Sequence, residues 1–468
     1  RLSETEGAQV NPEIFREYDI RGMADRELTD DVVRSVGRAF AQHMRERGKS
    51  RIAVGRDVRL SSPRIRTALI EGLRDQGAKV LDVGMVPTPA LYFAVLHLKA
   101  DGGVMVTGSH NPIEYNGLKL SDGVQSLHGE EIQEIRDRTR SAGVLAERGT
   151  VEEVSVDEAY LSDLVERVGQ VGPLKVVCDP GNGAASILGP RFLRAIGCQV
   201  DAIFAEPDGR FPNHLPDPTV PELVRALMER VRSTGADVGI GFDGDADRVG
   251  AVDEQGRLLF GDQVLALYAA DVLAKKPGSP IVFEVKCSQG LVEWVEAKGG
   301  TPIMWKAGHS LIKAKMRELQ APLGGEMSGH MFFADEFYGY DDALYAAGRL
   351  LRILARSGGK KVSSLVDALP QSRYVATPEI RLGCTDAAKF AIVDAVREHY
   401  RAQHEVLDVD GARVQFGDGW GLIRASNTQP VLVVRFEARS RERLQEISRD
   451  VYEVLARYPE VTIPALHV

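Results

Sequence analysis

Cysteine is scarce in this chain. The four, Cys178, Cys198, Cys287 and Cys384, lie far apart among 468 residues and form no CxxC pair. A disulfide framework is therefore excluded and free core thiols are the expectation. A basic excess is also lacking: Lys+Arg 58 against Asp+Glu 67 gives a formal net charge of -9. That argues against any general affinity for nucleic acid or anionic lipid, although an acidic protein can still hold a basic phosphate site. No uncharged apolar run approaches the roughly 20 residues that span a bilayer, and RLSETEGAQVNPE lacks the apolar segment of a signal peptide. A cytoplasmic location without membrane contact is expected. Neither GxxxxGK[ST] nor GxSxG occurs, which argues against a P-loop kinase and a nucleophile-elbow hydrolase.

What is present is ordinary globular composition, 44% hydrophobic and 27% charged, enough for several buried cores. Strand-length apolar runs alternate with helical patterns, the signature of α/β layers. RIAVGRD (51–57) reads as a buried strand. SSPRIRTALIEGLRDQGAKV reads as a helix with Ile65, Leu69 and Leu73 on one face, and GGVMVTGSHNP as a strand opening into a polar loop. LKVVCDPGNGAASILGPRFLRAIG and PIVFEVKCSQGLVEWVEAKG repeat the pattern of strand, loop and helix, so three related mixed α/β units are expected. After about 370 the texture changes to alternating strands and one long amphipathic helix, an α+β domain with a largely antiparallel sheet. DALPQSRYVAT, with one proline and little apolar content, reads as a hinge before it.

Each unit ends a strand in a loop able to carry chemistry. GFDGDADR (241–248) alternates Asp243, Asp245 and Asp247, and extended backbone would send all three carboxylates to one side. Such like charges call for a cation, and hard oxygens favour Mg2+ or Ca2+ over Zn2+; a solvated acidic turn is the alternative. Glu254 falls at the twelfth position of a calcium loop, but Arg248 occupies the required glycine and a strand precedes the motif. In TGSHNPIEYNGLK (107–119), Ser109 is either a capped turn residue or, beside a divalent cation, a phosphoryl carrier. RASNTQP (424–430) offers Arg424, Ser426, Asn427 and Thr428 to a phosphate dianion, or is a polar hairpin loop. GGEMSGH (324–330) offers Glu326 and Ser328 to paired sugar hydroxyls with His330 as a proton carrier, against a solvated turn. Lys286 and His309 add positive or titratable groups at strand ends.

Together and in order, EYDIRG (17–22), TGSHNP, GFDGDADR, GEMSGH and RASNTQP resemble the α-D-phosphohexomutases, most closely their bacterial phosphomannomutase/phosphoglucomutase branch, over essentially the whole chain. The resemblance implies four domains around a central cleft: 1–155 with the phosphoserine loop, 156–257 with the metal loop, 258–369 with the sugar-recognition loop, and 370–468 binding phosphate. It implies Ser109 as phosphoserine and Mg2+ on Asp243, Asp245, Asp247 and the Ser109 oxygen. Arg248 would contact the reacting phosphate or sugar, and Lys119 and His330 would contribute acid/base chemistry with Arg21 assisting. Tyr18 and His110 would line the cleft. Glu326 and Ser328 would read the sugar's O3 and O4. Arg424, Ser426, Asn427 and Thr428 would grip the phosphate that is not transferred, and Lys286 and His309 would add substrate contacts. The implied enzyme is a monomer acting on phosphohexoses through a hexose 1,6-bisphosphate. A phosphoglucosamine mutase and a non-enzymatic sugar-phosphate-binding protein are the alternatives. Ala246 stands where the family often has glycine; alanine is expected to remove access to left-handed backbone and to require only slight adjustment.

Overall fold

The computed structural model describes residues 10–427 and 429–463. The chain forms two compact units, one running to Tyr268 and including Ser328–Ser364, the other comprising Ala269–Met327 and the chain from Leu365.

The first unit holds two sheets. In one, strands Arg51–Arg56, Lys79–Met85, Gly102–Val106 and Val151–Glu153 run parallel, and Tyr115–Asp122 pairs antiparallel with both Gly102–Val106 and Ile20–Met23. Helix Ser62–Asp75 buries Ile65, Leu69 and Leu73, as its periodicity predicts. It stops before the expected AKV, because Gly77 turns the backbone left-handed at φ +79° and releases Lys79–Met85 as a strand. The helix packs against Asp30–Arg45, whose first turn is capped by the Thr29 hydroxyl. Small residues permit the close crossing: a Cβ on Gly72 would meet the Arg34 carbonyl oxygen at 2.1 Å. In the other sheet, Lys175–Asp179 runs parallel to both Gln199–Ala202 and Val238–Phe242, while Val249–Asp253 returns antiparallel to Val238–Phe242. All five residues of Val238–Phe242 are buried, so this strand is an interior rail that ends at the aspartate loop.

In the second unit, Pro280–Glu284 lies between parallel partners Thr301–Trp305 and Leu323–Gly325. The last sheet is antiparallel throughout its pairings, from Val375–Ala376 and Ile380–Gly383 through Val431–Ala438, Gly419–Ala425 and Ala412–Gln415 to Glu405–Leu407. Helix Arg441–Leu455 contributes Ile447, Val451 and Leu455 to that sheet's core. DALPQSRYVAT is anchored more firmly than its composition implies. Leu369, Pro370 and Gln371 are buried, and a Cβ on Gly290 of helix Gln289–Ala297 would meet the Gln371 nitrogen at 2.6 Å. Glu293 of the same helix accepts from Arg373 at 2.9 Å and from the Tyr374 hydroxyl. Among the described residues no helix is long and apolar enough to cross a membrane.

Candidate active site

Strand ends bring the serine and aspartate loops together although they lie 134 residues apart in the chain: the Ser109 hydroxyl donates to Asp243 Oδ2 at 2.9 Å. Ser109 follows strand Gly102–Val106 and adopts left-handed backbone at φ +50°, a conformation that costs a non-glycine residue about 1–3 kcal/mol and must be held by its surroundings. Its N–H donates to the Thr107 hydroxyl at 2.9 Å, and its Oγ lies 3.1 Å from His110 Nδ1. Burial, with Arg248 and Arg21 nearby, holds His110 well below the usual imidazole range, so its ring is neutral.

The aspartates converge by a turn. The alternation predicts extended pleating, but the strand ends at Phe242, and Asp243 Oδ1 accepts the N–H groups of Asp247 at 3.1 Å and Arg248 at 3.2 Å. Ala246 is left-handed after all, with φ +59°: alanine keeps the glycine conformation and carries its strain. Gly244 is required, since a Cβ there would meet the Ser109 carbonyl oxygen at 2.3 Å. Glu254 takes no part in this loop; its carboxylate accepts from Ser363.

Asp243, Asp245 and Asp247 are buried, with one carboxylate oxygen from each inside a span of 4.8 Å. Among the described residues nothing donates a hydrogen bond to Asp245 Oδ1 or Asp247 Oδ1, two buried oxygens that a cation would satisfy. Burial and the charges of Asp245 and Asp247 push the Asp243 carboxyl well above its ordinary range. An oxygen-only donor set under this repulsion fits a hard divalent cation. Lys119, from strand Tyr115–Asp122, donates to Asp245 Oδ2 at 2.9 Å and to Asp247 Oδ2. Burial opposes the Lys119 charge, but the two aspartates raise it well above its usual range. Thr88 braces Asp245 through both its hydroxyl, 2.5 Å from Oδ2, and its N–H, 2.8 Å from the carbonyl.

His330 is buried beside this loop. Arg248 Nε donates to His330 Nε2 at 3.1 Å, while His330 Nδ1 lies 3.0 Å from Asp341 Oδ2 and 3.7 Å from Asp247 Oδ1. A guanidinium can only donate, so Nε2 is the acceptor and the ring proton sits on Nδ1, facing Asp341. Arg21 pairs with Asp19 at 2.5 Å and Tyr18 is half-buried next to it. Ser328 is half-buried in the turn before His330.

In the second unit, the Arg424 and His309 loops meet through Asp410. Its Oδ2 accepts from Arg424 Nη2 at 3.0 Å and from the Ala307 N–H at 3.0 Å. Glu326 Oε1 accepts the adjacent Gly308 N–H at 2.6 Å, and His309 begins helix His309–Leu319. Lys286 follows strand Pro280–Glu284 and pairs with Glu379 at 2.9 Å; the lysine charge leads in holding the Glu379 carboxyl down to about 2. Ser426 is buried and its hydroxyl accepts the Gln429 N–H at 3.2 Å, Asn427 is exposed, and Thr428 lies outside the described residues. Asp341, Thr88, Asp410 and Glu379 also belong to these contacts; each is a single residue outside the recurring loops, and no string in the sequence marks it.

A serine oxygen against a buried oxygen-donor triad, on an α/β scaffold, matches the metal-assisted phosphotransfer enzymes. Four family models match in order: phosphoglucomutase/phosphomannomutase alpha/beta/alpha domain I over residues 12–143, domain II over 158–256, domain III over 260–373 and the C-terminal domain over 379–454. A phosphomannomutase/phosphoglucomutase from Pseudomonas putida is 45% identical over 460 residues, spanning 98% of each chain. A phosphoglucomutase from Neisseria gonorrhoeae is 41% identical over 462 residues, 98% of this chain and 100% of that one. The crystal structure of a phosphoglucomutase/phosphomannomutase family protein from Burkholderia thailandensis, 43% identical, has a TM-score of 0.91 and covers 97% of this chain and 100% of its own. The chain belongs to the α-D-phosphohexomutase superfamily, in its bacterial phosphomannomutase/phosphoglucomutase branch, and is a phosphomutase: an enzyme of reversible phosphoryl transfer.

Proposed function

We propose that the enzyme interconverts the 1- and 6-phosphates of glucose and mannose, with Ser109 as the phosphoryl carrier. The contact that carries this reading is Ser109 Oγ at 2.9 Å from Asp243 in the buried triad. Phosphorylated Ser109 gives its phosphoryl group to the free hydroxyl of a hexose monophosphate. The resulting 1,6-bisphosphate turns end for end and returns its other phosphate to Ser109. Asp243, Asp245 and Asp247 would hold Mg2+ with the serine-borne oxygen, where the cation neutralises charge on the transferred group.

The remaining roles belong to the chain's own groups. His330 Nε2 takes the proton of the attacking hydroxyl, and Arg248, which donates to that nitrogen in the free enzyme, turns to the phosphate or sugar. Lys119 assists with acid/base work near the reacting hydroxyl, with Arg21 beside it, while Tyr18 and His110 line the site. Glu326 and Ser328 bind O3 and O4, which both orientations of the bisphosphate can offer; O2, where glucose and mannose differ, goes unread. Arg424, Ser426, Asn427 and Thr428 hold the spectator phosphate, with Lys286 and His309 adding contacts. These roles follow a division into domains at 1–155, 156–257, 258–369 and 370–468, in a monomeric cytoplasmic enzyme.

The test is mass spectrometry of the Ser109 peptide. Incubation with glucose 1,6-bisphosphate and Mg2+ should add one phosphate, and excess monophosphohexose should discharge it. Full turnover with Ser109 unphosphorylated throughout would refute the carrier. Parallel kinetics on the 1-phosphates of glucose, mannose and glucosamine should give similar efficiency for the first two; a strong preference for glucosamine would move the enzyme to the phosphoglucosamine mutases.

A further inference from the structure

The loop that carries Ser109 is built around a buried guanidinium that takes no part in the roles above. Arg59 is 1% exposed. Its Nη1 donates to the carbonyl oxygens of Pro112 at 2.6 Å and Tyr115 at 2.9 Å, and its Nη2 to those of Ser109 at 3.0 Å and Asn111 at 2.6 Å. One side chain thus ties four peptide units, from the serine itself to Tyr115, into one arc. Asp57 closes the arrangement from below. Its Oδ2 lies 3.4 Å from Arg59 Nε and accepts the Gly108 N–H at 3.0 Å, while its Oδ1 accepts the Arg59 N–H at 3.0 Å. The Phe211 ring lies 5.3 Å from the guanidinium carbon.

Two features show that the loop is shaped to this side chain. A Cβ on Gly108, the residue before the serine, would come within 2.2 Å of Arg59 Nε, so glycine there leaves the guanidinium its place. Ser109 sits in left-handed backbone, which persists only where surrounding contacts over-determine it, and two of the four carbonyl bonds fall at or within two residues of that strained position. A planar fork of donors can serve four carbonyls in fixed directions; an ammonium, a point charge with three rotatable donors, cannot.

We propose that Arg59 is the positioning residue for the nucleophile: it holds the 109–115 arc so that the Ser109 oxygen points at Asp243, and acts on the reaction only through that placement. The inference rests on Ser109 being the phosphoryl carrier. Displacing a reacting atom by about 1 Å can cost roughly 100-fold in rate without touching substrate affinity.

The test compares the parent enzyme with Arg59→Lys, which keeps the charge and loses the fork. The parent is first shown to carry phosphate on Ser109; if it does not, the carrier reading fails and this inference with it. Given a phosphorylated parent, the lysine variant should melt within a few degrees of it. Single-turnover discharge of its Ser109 phosphate to glucose 1-phosphate should be slowed about 100-fold, with KM within about threefold. In Arg59→Ala, guanidinium ion at millimolar concentration should recover at least about tenfold of the lost rate, which a purely structural role would not allow. If the lysine variant does not fold, Gly108→Ala, whose methyl group expels the guanidinium from its place, should show the same slow discharge. A parent-like discharge rate in the folded lysine variant, or in Gly108→Ala where that variant substitutes for it, overturns the inference and leaves the carrier reading intact. So does a rise in KM with the discharge rate unchanged.

Discussion

Replacing Lys119 by methionine, nearly the same in length, removes one positive charge from between two buried aspartates, Asp245 at 2.9 Å and Asp247 closer still. In the chelated protein this ammonium bonds two of the three carboxylates, and its loss has a calculable ceiling. Burial alone would raise the Asp245 carboxyl; Lys119 leads in holding it below its ordinary 3.8. Its contribution is therefore fully present above the unfolded value and lost only as pH falls through the folded one. The lysine, raised above 10.5 once its aspartates outweigh burial, stays charged across the same range and loses its contribution only well above it. Without the lysine, the site either bears an uncompensated charge or takes up one proton. Proton uptake sets the ceiling: from 3.8 to pH 7, at 1.36 kcal/mol per unit, it costs about 4 kcal/mol, and at pH 5 only about 1.6 kcal/mol. Breaking a buried ion pair by removing one partner typically costs about 3–5 kcal/mol, so the ceiling should nearly be reached at neutral pH. Amide hydrogen exchange in strands Val238–Phe242 and Tyr115–Asp122, with chelator present, reads the local opening free energy. Lys119→Met should lower it by about 4 kcal/mol at pH 7 and by less than half as much at pH 5, and saturating Mg2+ should shrink both losses. A loss below about 1 kcal/mol at pH 7, or one that grows as pH falls, would refute the reasoning.

Asp342 caps helix Ala343–Ala355 and accepts from the Tyr160 hydroxyl at 2.8 Å, yet burial pushes it up to about 7. Its contribution is fully present below about pH 4 and lost as pH rises to 7, so Asp342→Asn, which keeps the cap, should flatten the unfolding free energy between pH 4 and 8 by up to about 4 kcal/mol. Arg424→Ala deletes a charge-assisted grip worth about 1.5–3 kcal/mol and should raise the KM for glucose 1-phosphate about 10- to 100-fold with a smaller change in kcat; an unchanged KM removes Arg424 from the phosphate site. Ala246→Gly relieves about 1–2 kcal/mol of left-handed strain but loses a buried methyl worth about 0.8 kcal/mol and adds about 0.5–1 kcal/mol of backbone entropy, so denaturant unfolding should shift by less than about 1 kcal/mol. A shift above about 2 kcal/mol in either direction contradicts that balance.

What the sequence displays depends on how local the determining interaction is. Ile65, Leu69 and Leu73 repeat at the helical period, and the interior strand Val238–Phe242 is a continuous run of small and apolar residues, so both elements are visible by pattern alone. The aspartates are visible as a cluster, but alternation points to a pleat where the chain makes a turn. Nothing in GFDGDADR distinguishes a pleat from a turn until Asp243 Oδ1 is seen to collect two N–H groups and Ala246 to go left-handed. The single polar residues that complete the site were invisible for a different reason. Thr88 reaches Asp245 across 157 positions and Arg59 reaches Asn111 across 52. Each is one residue without periodicity, and its partner is chosen by which strand ends the sheet order places side by side. Resemblance to a family can supply the loops that touch substrate, because those recur as strings. It is silent on Arg59, whose hold on the serine loop runs through backbone carbonyls and leaves no side-chain pattern there to match. The reach of a sequence argument therefore ends where a catalytic string depends on a lone residue elsewhere in the chain, and the strained Ser109 is such a place.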